Sequence, residues 1–230
     1  MHTSAATGPG DCSGCELMNR RFAILSPLWR AALLLLTLEI GTVSVLRYFT
    51  GSGAPPPPIL ANAFADPFLA VHVAGGVAAL LVGPLQFVRR IRTRVPRLHR
   101  AIGLAYVGAC AVAAPAGLVL ALGTTAGPVA GAGFAVLALL APVFTWLGLQ
   151  AALERRFEAH REWMLRSYAM VATAITLRLM LPAAGMLGFE FLPAYQAIAW
   201  LSWATNLALA EYHIRRTRVS AGGYRTLATA

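Results

Sequence analysis

The fold is decided at the start of an apolar run, where residues 160–168 read HREWMLRSY. Five of these nine side chains are charged or titratable, although charged residues make up only 12% of the chain. The apolar run continues to about Gly188, and a charged patch that abuts such a run is typical of a membrane boundary. The pair His99-Arg100 abuts another apolar run in the same way. The two copies predict paired membrane elements.

The composition excludes a soluble domain. The 230 residues are 58% hydrophobic, which predicts a polytopic membrane protein in contact with the lipid bilayer. All 19 basic residues are arginine, and most of them lie in short loops and tails. Nucleic-acid binding requires a soluble basic surface with interleaved aromatic residues, so this distribution argues against a nucleic-acid partner.

Six apolar runs predict an all-α bundle of six transmembrane helices, at about 28–48, 67–88, 101–122, 131–153, 163–188 and 194–212. A bilayer requires roughly 20 residues for each span. The predicted inner segments are rich in arginine, whereas the outer ones carry none apart from Arg47 at the edge of the first span. Because basic loops stay in the cytoplasm, the pattern places both termini there and predicts a protein of the inner (cytoplasmic) membrane.

The membrane domain is predicted to cover residues 28–213, between a polar tail at 1–27 and a basic tail at 214–230. Cys12 and Cys15 have the spacing of a metal or redox pair, but no second pair or histidine at ligand spacing accompanies them, so no metal site is predicted. Cys110 lies within a span and is predicted to be a small core residue. The proline run 55–58 predicts an extended outer loop.

The second span carries a stripe of small residues with a polar residue at each end. Its helical spacing puts on one face His72, Gly76, Ala79, Gly83 and Gln86. Such a stripe lets another helix, or a flat ligand, approach the backbone closely. An ionisable residue such as His72 is costly within a span unless it faces a partner or water, so structural and functional roles both stay open.

Arg178 lies deep in the fifth span, where an unpaired guanidinium costs at least ~2.5 kcal/mol. Glu39 occupies a similar depth in the first span and is the acidic residue in the interior of a span. We therefore predict a Glu39–Arg178 pair. The alternative is that Arg178 bonds backbone carbonyls or the head group of a lipid or ligand. Together with Gln86, these two residues form the predicted buried polar set.

The inner side gathers histidines near the ends of spans three and five. A b-type haem between helices needs axial histidines at similar depth and small residues beside the ring. His99 and His160 fit that role, while nearby arginines could pair with propionates. The predicted cofactor-binding set is His72, His99, Gly103, Tyr106, His160, Arg161 and Arg166.

Catalytic residues are not identifiable from the sequence. No nucleophile–base set, phosphate loop or metalloprotease motif occurs, and the carboxylates are scattered. Soluble-type hydrolysis is therefore disfavoured, and whether the protein is an enzyme stays open.

Two signatures carry a family resemblance. They are His99-Arg100-x-x-Gly103-x-x-Tyr106 and His160-Arg161-x-Trp163-Met164-x-Arg166-Ser167-Tyr168, followed by Arg178, Pro182, Trp200, Trp203, Asn206 and Glu211. Together they resemble a bacterial family of predicted multi-pass membrane proteins of unknown function, over residues 67–213. The resemblance implies an architecture without a reaction, and it marks as matching positions His72, His99, His160 and Arg178.

Two functions remain as hypotheses. The first is a redox membrane protein linked to haem b or a quinone, with His99 and His160 as ligands. The second is a non-catalytic membrane subunit, or a small-molecule carrier, in which His72 and Arg178 line a polar cavity. Other membrane subunits are candidate partners in either case.

Overall fold

Helices form the regular structure of the residues that the computed structural model describes, 34–46 and 61–227. These two ranges contain no strand, so the predicted all-α fold is confirmed. Side chains are described as far as Arg218. The helices are α1 (Leu34–Leu46), α2 (Ala65–Gln86), α3 (Arg89–Arg94), α4 (Pro96–Leu122), α5 (Pro128–Leu153), α6 (Phe157–Val171), α7 (Thr173–Met186) and α8 (Phe191–Leu227).

Some predicted features lie outside the described residues, namely the polar tail 1–27 with Cys12 and Cys15 and the proline run 55–58. The chain divides into a unit that ends at Leu36 and a second unit that begins at Thr37. Residues 34–36 are the described part of the first unit. All contacts reported below lie within the second.

Within the part of the chain that the structure describes, four helical segments are long and apolar enough to cross a membrane: α2, α4, α5, and α6 continued by α7. They agree with the predicted second to fifth spans. The described part of α1 is shorter, and α8 carries Gln196 and Asn206, which lower its hydropathy. The first and sixth spans, and the cytoplasmic location of both termini, stay predictions.

Proline determines where two of these helices begin. Pro96 starts α4 and Pro128 starts α5, because a residue without an N–H and with a fixed φ suits the first helical turn. The segment between the predicted second and third spans, residues 89–100, is therefore largely helical. Residues 89–94 form α3, and His99 lies on the first turn of α4.

Helices that are close in sequence pack side by side. Asn62, just before α2, donates to the carbonyl of Leu120 at 2.7 Å, and Gln86 at the other end of α2 donates to the carbonyl of His99 at 3.3 Å. These bonds show that α2 and α4 run antiparallel. α4 packs on α5, α5 packs on α6, and α8 lies against α5, α6 and α7.

Two adjacent glycines give α2 two different surfaces. A Cβ at Gly75 would lie 2.9 Å from the carbonyl oxygen of Ala109, so the missing side chain lets α2 and α4 approach closely. A Cβ at Gly76 would have no heavy atom within 4 Å. Within the predicted stripe, Gly83 packs under the ring of Tyr168, whereas Gly76 borders open space.

Buried hydroxyl groups connect α4, α5 and α6. The hydroxyl of Tyr106 lies 2.8 Å from that of Ser167, which lies 2.7 Å from that of Thr145. Thr145 donates to the carbonyl of Ala141 at 2.7 Å. With Thr145 as that donor, Ser167 donates to Thr145 and Tyr106 donates to Ser167. Each of these three hydroxyls, which we call the hydroxyl chain, then has an acceptor for its hydrogen.

Replacing Ser167 with alanine is expected to lower the free energy of unfolding by about 1–2 kcal/mol, because it leaves the Tyr106 hydroxyl buried without its acceptor. Ser202 is the matched control, since it is equally buried and its hydroxyl has no partner among the described residues. Ser202→Ala should change the free energy by less than about 0.5 kcal/mol. Reversible unfolding in mild detergent measures both, and equal effects would contradict the role of the hydroxyl chain.

Candidate functional site

A cavity of about 300 Å³ lies inside the bundle, and five helices provide most of its wall. Its lining is mostly apolar. The lining residues are Asn62, Leu69, His72, Val73, Gly76, Ala79, Cys110, Ala113, Ala114, Gly117, Leu120, Ala121, Thr124, Phe134, Leu137, Ala138, Ala141, Met170, Val171, Thr173, Ala174, Leu177, Arg178 and Tyr195. Among these described residues none is aspartate or glutamate, so the charged side chain at the wall is a cation.

His72 reaches the cavity from α2 and is held by α4. Its Nδ1 lies 2.9 Å from the carbonyl oxygen of Ala113. Because a carbonyl only accepts, Nδ1 must carry the hydrogen, and in the neutral ring Nε2 is then the acceptor. A Cβ at Gly117 would lie 2.8 Å from Nδ1, so a glycine is needed there to make room for the imidazole.

Arg178 reaches the cavity from α7. Its guanidinium donates to the carbonyl of Ala174 at 3.0 Å and to the hydroxyl of Ser44, on α1, at 3.1 Å. It is close enough to His72 to act on it electrostatically. The bond to a backbone carbonyl matches the alternative that the sequence left open.

The predicted Glu39–Arg178 pair is wrong. Glu39 is exposed, while the buried Ser44 provides the contact from α1. Five residues separate the two positions, and at about 100° per residue they lie on different faces of the helix. Glu39 and Arg178 thus have a similar depth in their predicted spans, but the side chain of Glu39 lies on a different helix face from the residue that contacts Arg178.

The cavity joins two ionisable residues that the sequence singled out, His72 and Arg178, to polar residues that it did not. Asn62, Thr124 and Tyr195 also line the wall. Asn62 and Thr124 lie next to helix ends, and Tyr195 lies on α8 among other aromatic residues. No spacing or composition signal distinguishes them, because the folding of distant segments brings them together.

The predicted inner cluster lies at what we call the arginine-rich end, formed by α3, the first turns of α4 and α6, and residues 213–218. His160 Nδ1 lies 2.8 Å from the carbonyl of Gly148, which leaves its Nε2 as the acceptor. His99 is close enough to His160 for an electrostatic interaction, and its Nδ1 is buried without a partner among the described residues. The two histidines that were predicted as a pair are therefore neighbours.

The other residues predicted around a haem have different surroundings. A Cβ at Gly103 would lie 3.4 Å from Oε1 of Gln86, so Gln86 fills the space beside that glycine. Gln86 thus lies with His99 and not with Arg178. Tyr106 belongs to the hydroxyl chain, and Arg161 is exposed.

A second cavity, near the arginine-rich end, measures about 10 Å³, roughly the space of one water molecule. Its lining comes from α2, α4 and α6 and from Phe87 after α2, and includes Gly83, Gln86 and Tyr106. Haem binding by His99 and His160 stays a prediction.

Arg166 forms an ion pair between α6 and α8. Its Nε donates to Glu211 at 2.5 Å and its Nη2 donates to the second oxygen at 3.2 Å, in a bidentate arrangement. The guanidinium also stacks over Trp163, 4.5 Å from the ring centre. Glu162 extends the network by accepting from Arg218, and this bond raises the pKa of the Arg218 guanidinium. Arg166 therefore fastens helices to each other.

Comparison with known proteins identifies one family. The model of a family described as "Predicted membrane protein (DUF2306)" matches residues 69–214. The family resemblance inferred from the sequence, over residues 67–213, is thereby confirmed. No curated protein and no solved structure matches the chain. The matched region contains His72, Gly76 and Arg178 of the cavity.

The Arg166–Glu211 pair is expected to contribute about 1 kcal/mol of coupling in a double-mutant cycle with glutamine at each position, because it is bidentate and its side chains are only 13% and 31% exposed. The control is Glu154–Arg156, whose side chains are 56% and 57% exposed. That pair should couple by less than about 0.5 kcal/mol. Unfolding in detergent measures both cycles, and equal coupling would contradict the fastening role.

Proposed function

We propose that this chain, which belongs to the DUF2306 family of predicted membrane proteins, binds a small, mostly apolar molecule inside its helical bundle and acts as a carrier or binding subunit. One observation supports this most directly. A mostly apolar cavity of about 300 Å³ has a few polar residues in its wall, among them the ionisable His72 and Arg178. That volume is at the lower end of the range for ligand pockets, and a few polar groups in an apolar wall are typical of such sites.

In a membrane, the affinity for a ligand depends strongly on these polar groups. A ligand that arrives from lipid gains little from the apolar wall, because hydrocarbon surrounds it both before and after binding. Affinity must then come from close packing and from polar contacts. Hydrogen bonds to a guanidinium are roughly twice as strong as those between neutral groups. Arg178 is therefore the proposed anchor for a ligand oxygen.

The glycine at position 76 supports the same conclusion. A glycine beside unfilled space makes few packing contacts, and it does not bring another helix closer. The cost becomes understandable when a ligand occupies that space. Of the two roles predicted for the small-residue stripe, Gly76 fits the approach of a ligand, whereas Gly83 fits packing against Tyr168.

We also propose that the membrane is a bacterial cytoplasmic membrane and that the arginine-rich end faces the cytoplasm. The exposed arginines at that end support this orientation, since basic residues near spans stay on the cytoplasmic side. They include Arg89, Arg90, Arg92, Arg94, Arg97, Arg100, Arg155, Arg156, Arg161, Arg215 and Arg216. In this orientation His72 and Arg178 lie in the outer half of the bundle.

Replacing Gly76 with leucine is expected to reduce ligand binding about tenfold, because an overfilled cavity costs about 1–3 kcal/mol. The probe is octanol carrying a diazirine, photolysed in the presence of the purified full-length protein. Labelled residues are then located by peptide mass spectrometry. Labelling should concentrate on α2, α4 and α7 residues of the cavity wall.

Gly108→Leu is the matched control, because a Cβ at Gly108 also meets no atom within 4 Å but this exposed glycine is not a lining residue. It should leave labelling of the cavity unchanged. Size-exclusion profiles show whether each variant folds, and Gly76→Ala provides a smaller step. Labelling outside the cavity, or an equal effect of both leucine variants, would sink the proposal.

Haem and quinone binding are tested in parallel. The proposal expects His99→Ala and His160→Ala to label like the wild type, since both histidines lie outside the cavity wall. Bound haem b would instead appear as a reduced-minus-oxidised absorption signal that both substitutions abolish. Such a signal, together with loss of cavity labelling, would replace the carrier proposal with a redox function.

A further inference from the structure

We infer that the ligand of the cavity is a carboxylic acid with an apolar chain, which gives its proton to Nε2 of His72 and binds to Arg178 as the carboxylate. The inference rests on the proposed function and adds a chemical class to it. It is carried by the geometry of two side chains from different helices, each held in place by a backbone carbonyl.

The first element is the orientation of His72. The 2.9 Å contact with the carbonyl of Ala113 keeps a hydrogen on Nδ1, so the neutral ring has a bare lone pair on Nε2. Because Gly117 has no side chain, the imidazole ring can lie directly against α4. The cavity thus offers a hydrogen-bond acceptor that is also a base. Its best partner is a ligand group with a transferable hydrogen.

The second element is the positive charge of Arg178 at the same wall. A cationic ligand would be repelled by it. A ligand with acceptor oxygens alone would satisfy the guanidinium but would leave Nε2 of His72 without a donor. A carboxylic acid provides both groups on adjacent atoms, a carbonyl oxygen for Arg178 and an O–H for His72.

The proton transfer balances within the site. The O–H bond of the acid breaks and an N–H bond forms at Nε2, so a neutral acid and a neutral imidazole become a carboxylate and an imidazolium. The total charge of ligand, His72 and Arg178 is the same before and after. The ligand can therefore cross hydrocarbon as the neutral acid, which avoids the large cost of moving a bare carboxylate.

Other titratable groups face the same space. Cys110 and Tyr195 line the wall beside His72 and Arg178. Cys110 packs in one buried cluster with Tyr106 and Met164. Of these side chains, the neutral imidazole is the one with a nitrogen lone pair, so it is the acceptor that the inference names.

The experiment compares octanoic acid and octanol that carry the same diazirine, on the full-length protein. The wild type should bind the acid about tenfold more tightly than the alcohol, because a carboxylate forms charge-assisted bonds with Arg178. His72→Gln keeps a polar side chain without the base and should abolish that preference. His213→Gln, at an exposed histidine outside the cavity, should retain it.

A spectroscopic measurement locates the proton. Infrared difference spectra with isotope-labelled octanoic acid should show a carboxylate band in the wild type and a protonated-acid band in His72→Gln. A protonated acid in the wild type would overturn the transfer step. Equal binding of acid and alcohol, or equally effective competition by duroquinone, which has no acidic hydrogen, would overturn the ligand class. Failure of both diazirine probes to label the cavity would instead overturn the proposed function.

Discussion

Polar groups inside an apolar bundle must find their partners within the protein, because hydrocarbon provides none. Several polar side chains of the second unit meet this constraint through hydrogen bonds to other helices. Ser167 bonds Tyr106 and Thr145, and Asn206 bonds Thr176 and the carbonyl of Ala169. Each of these contacts joins two or more helices. The polar residues therefore act as fixed points around which the apolar surfaces pack.

The cavity follows from the same constraint combined with small side chains. Gly75 brings α2 and α4 together, and this closeness puts His72 within reach of the carbonyl of Ala113. Gly76 and the alanines of α4 then leave space on the neighbouring face. The result is a cavity with a mostly apolar wall, which His72 and Arg178 enter from α2 and α7. The close approach and the open space arise from the same short stretch of α2.

The arginine at the arginine-rich end and the arginine in the interior of the bundle have different surroundings. At the arginine-rich end Arg166 is neutralised by Glu211 and stacks on Trp163, so its charge stabilises helix contacts. In the interior the guanidinium of Arg178 donates to the carbonyl of Ala174 on its own helix and to the hydroxyl of Ser44 on α1. These contacts connect α7 to α1 while the same side chain lines the cavity.

Hydropathy and arginine placement in the sequence determined the all-α fold and the second to fifth candidate spans, because both depend on the one-dimensional order of apolar and charged residues. The same order singled out His72 and Arg178, which both line the cavity. Tertiary structure alone decided the partners. Depth along a span can be read from residue number, but direction around a helix and the identity of its neighbours cannot. Glu39 was therefore paired wrongly with Arg178, Gln86 lies with His99, and Asn62, Thr124 and Tyr195 meet at a wall that exists only in the folded chain.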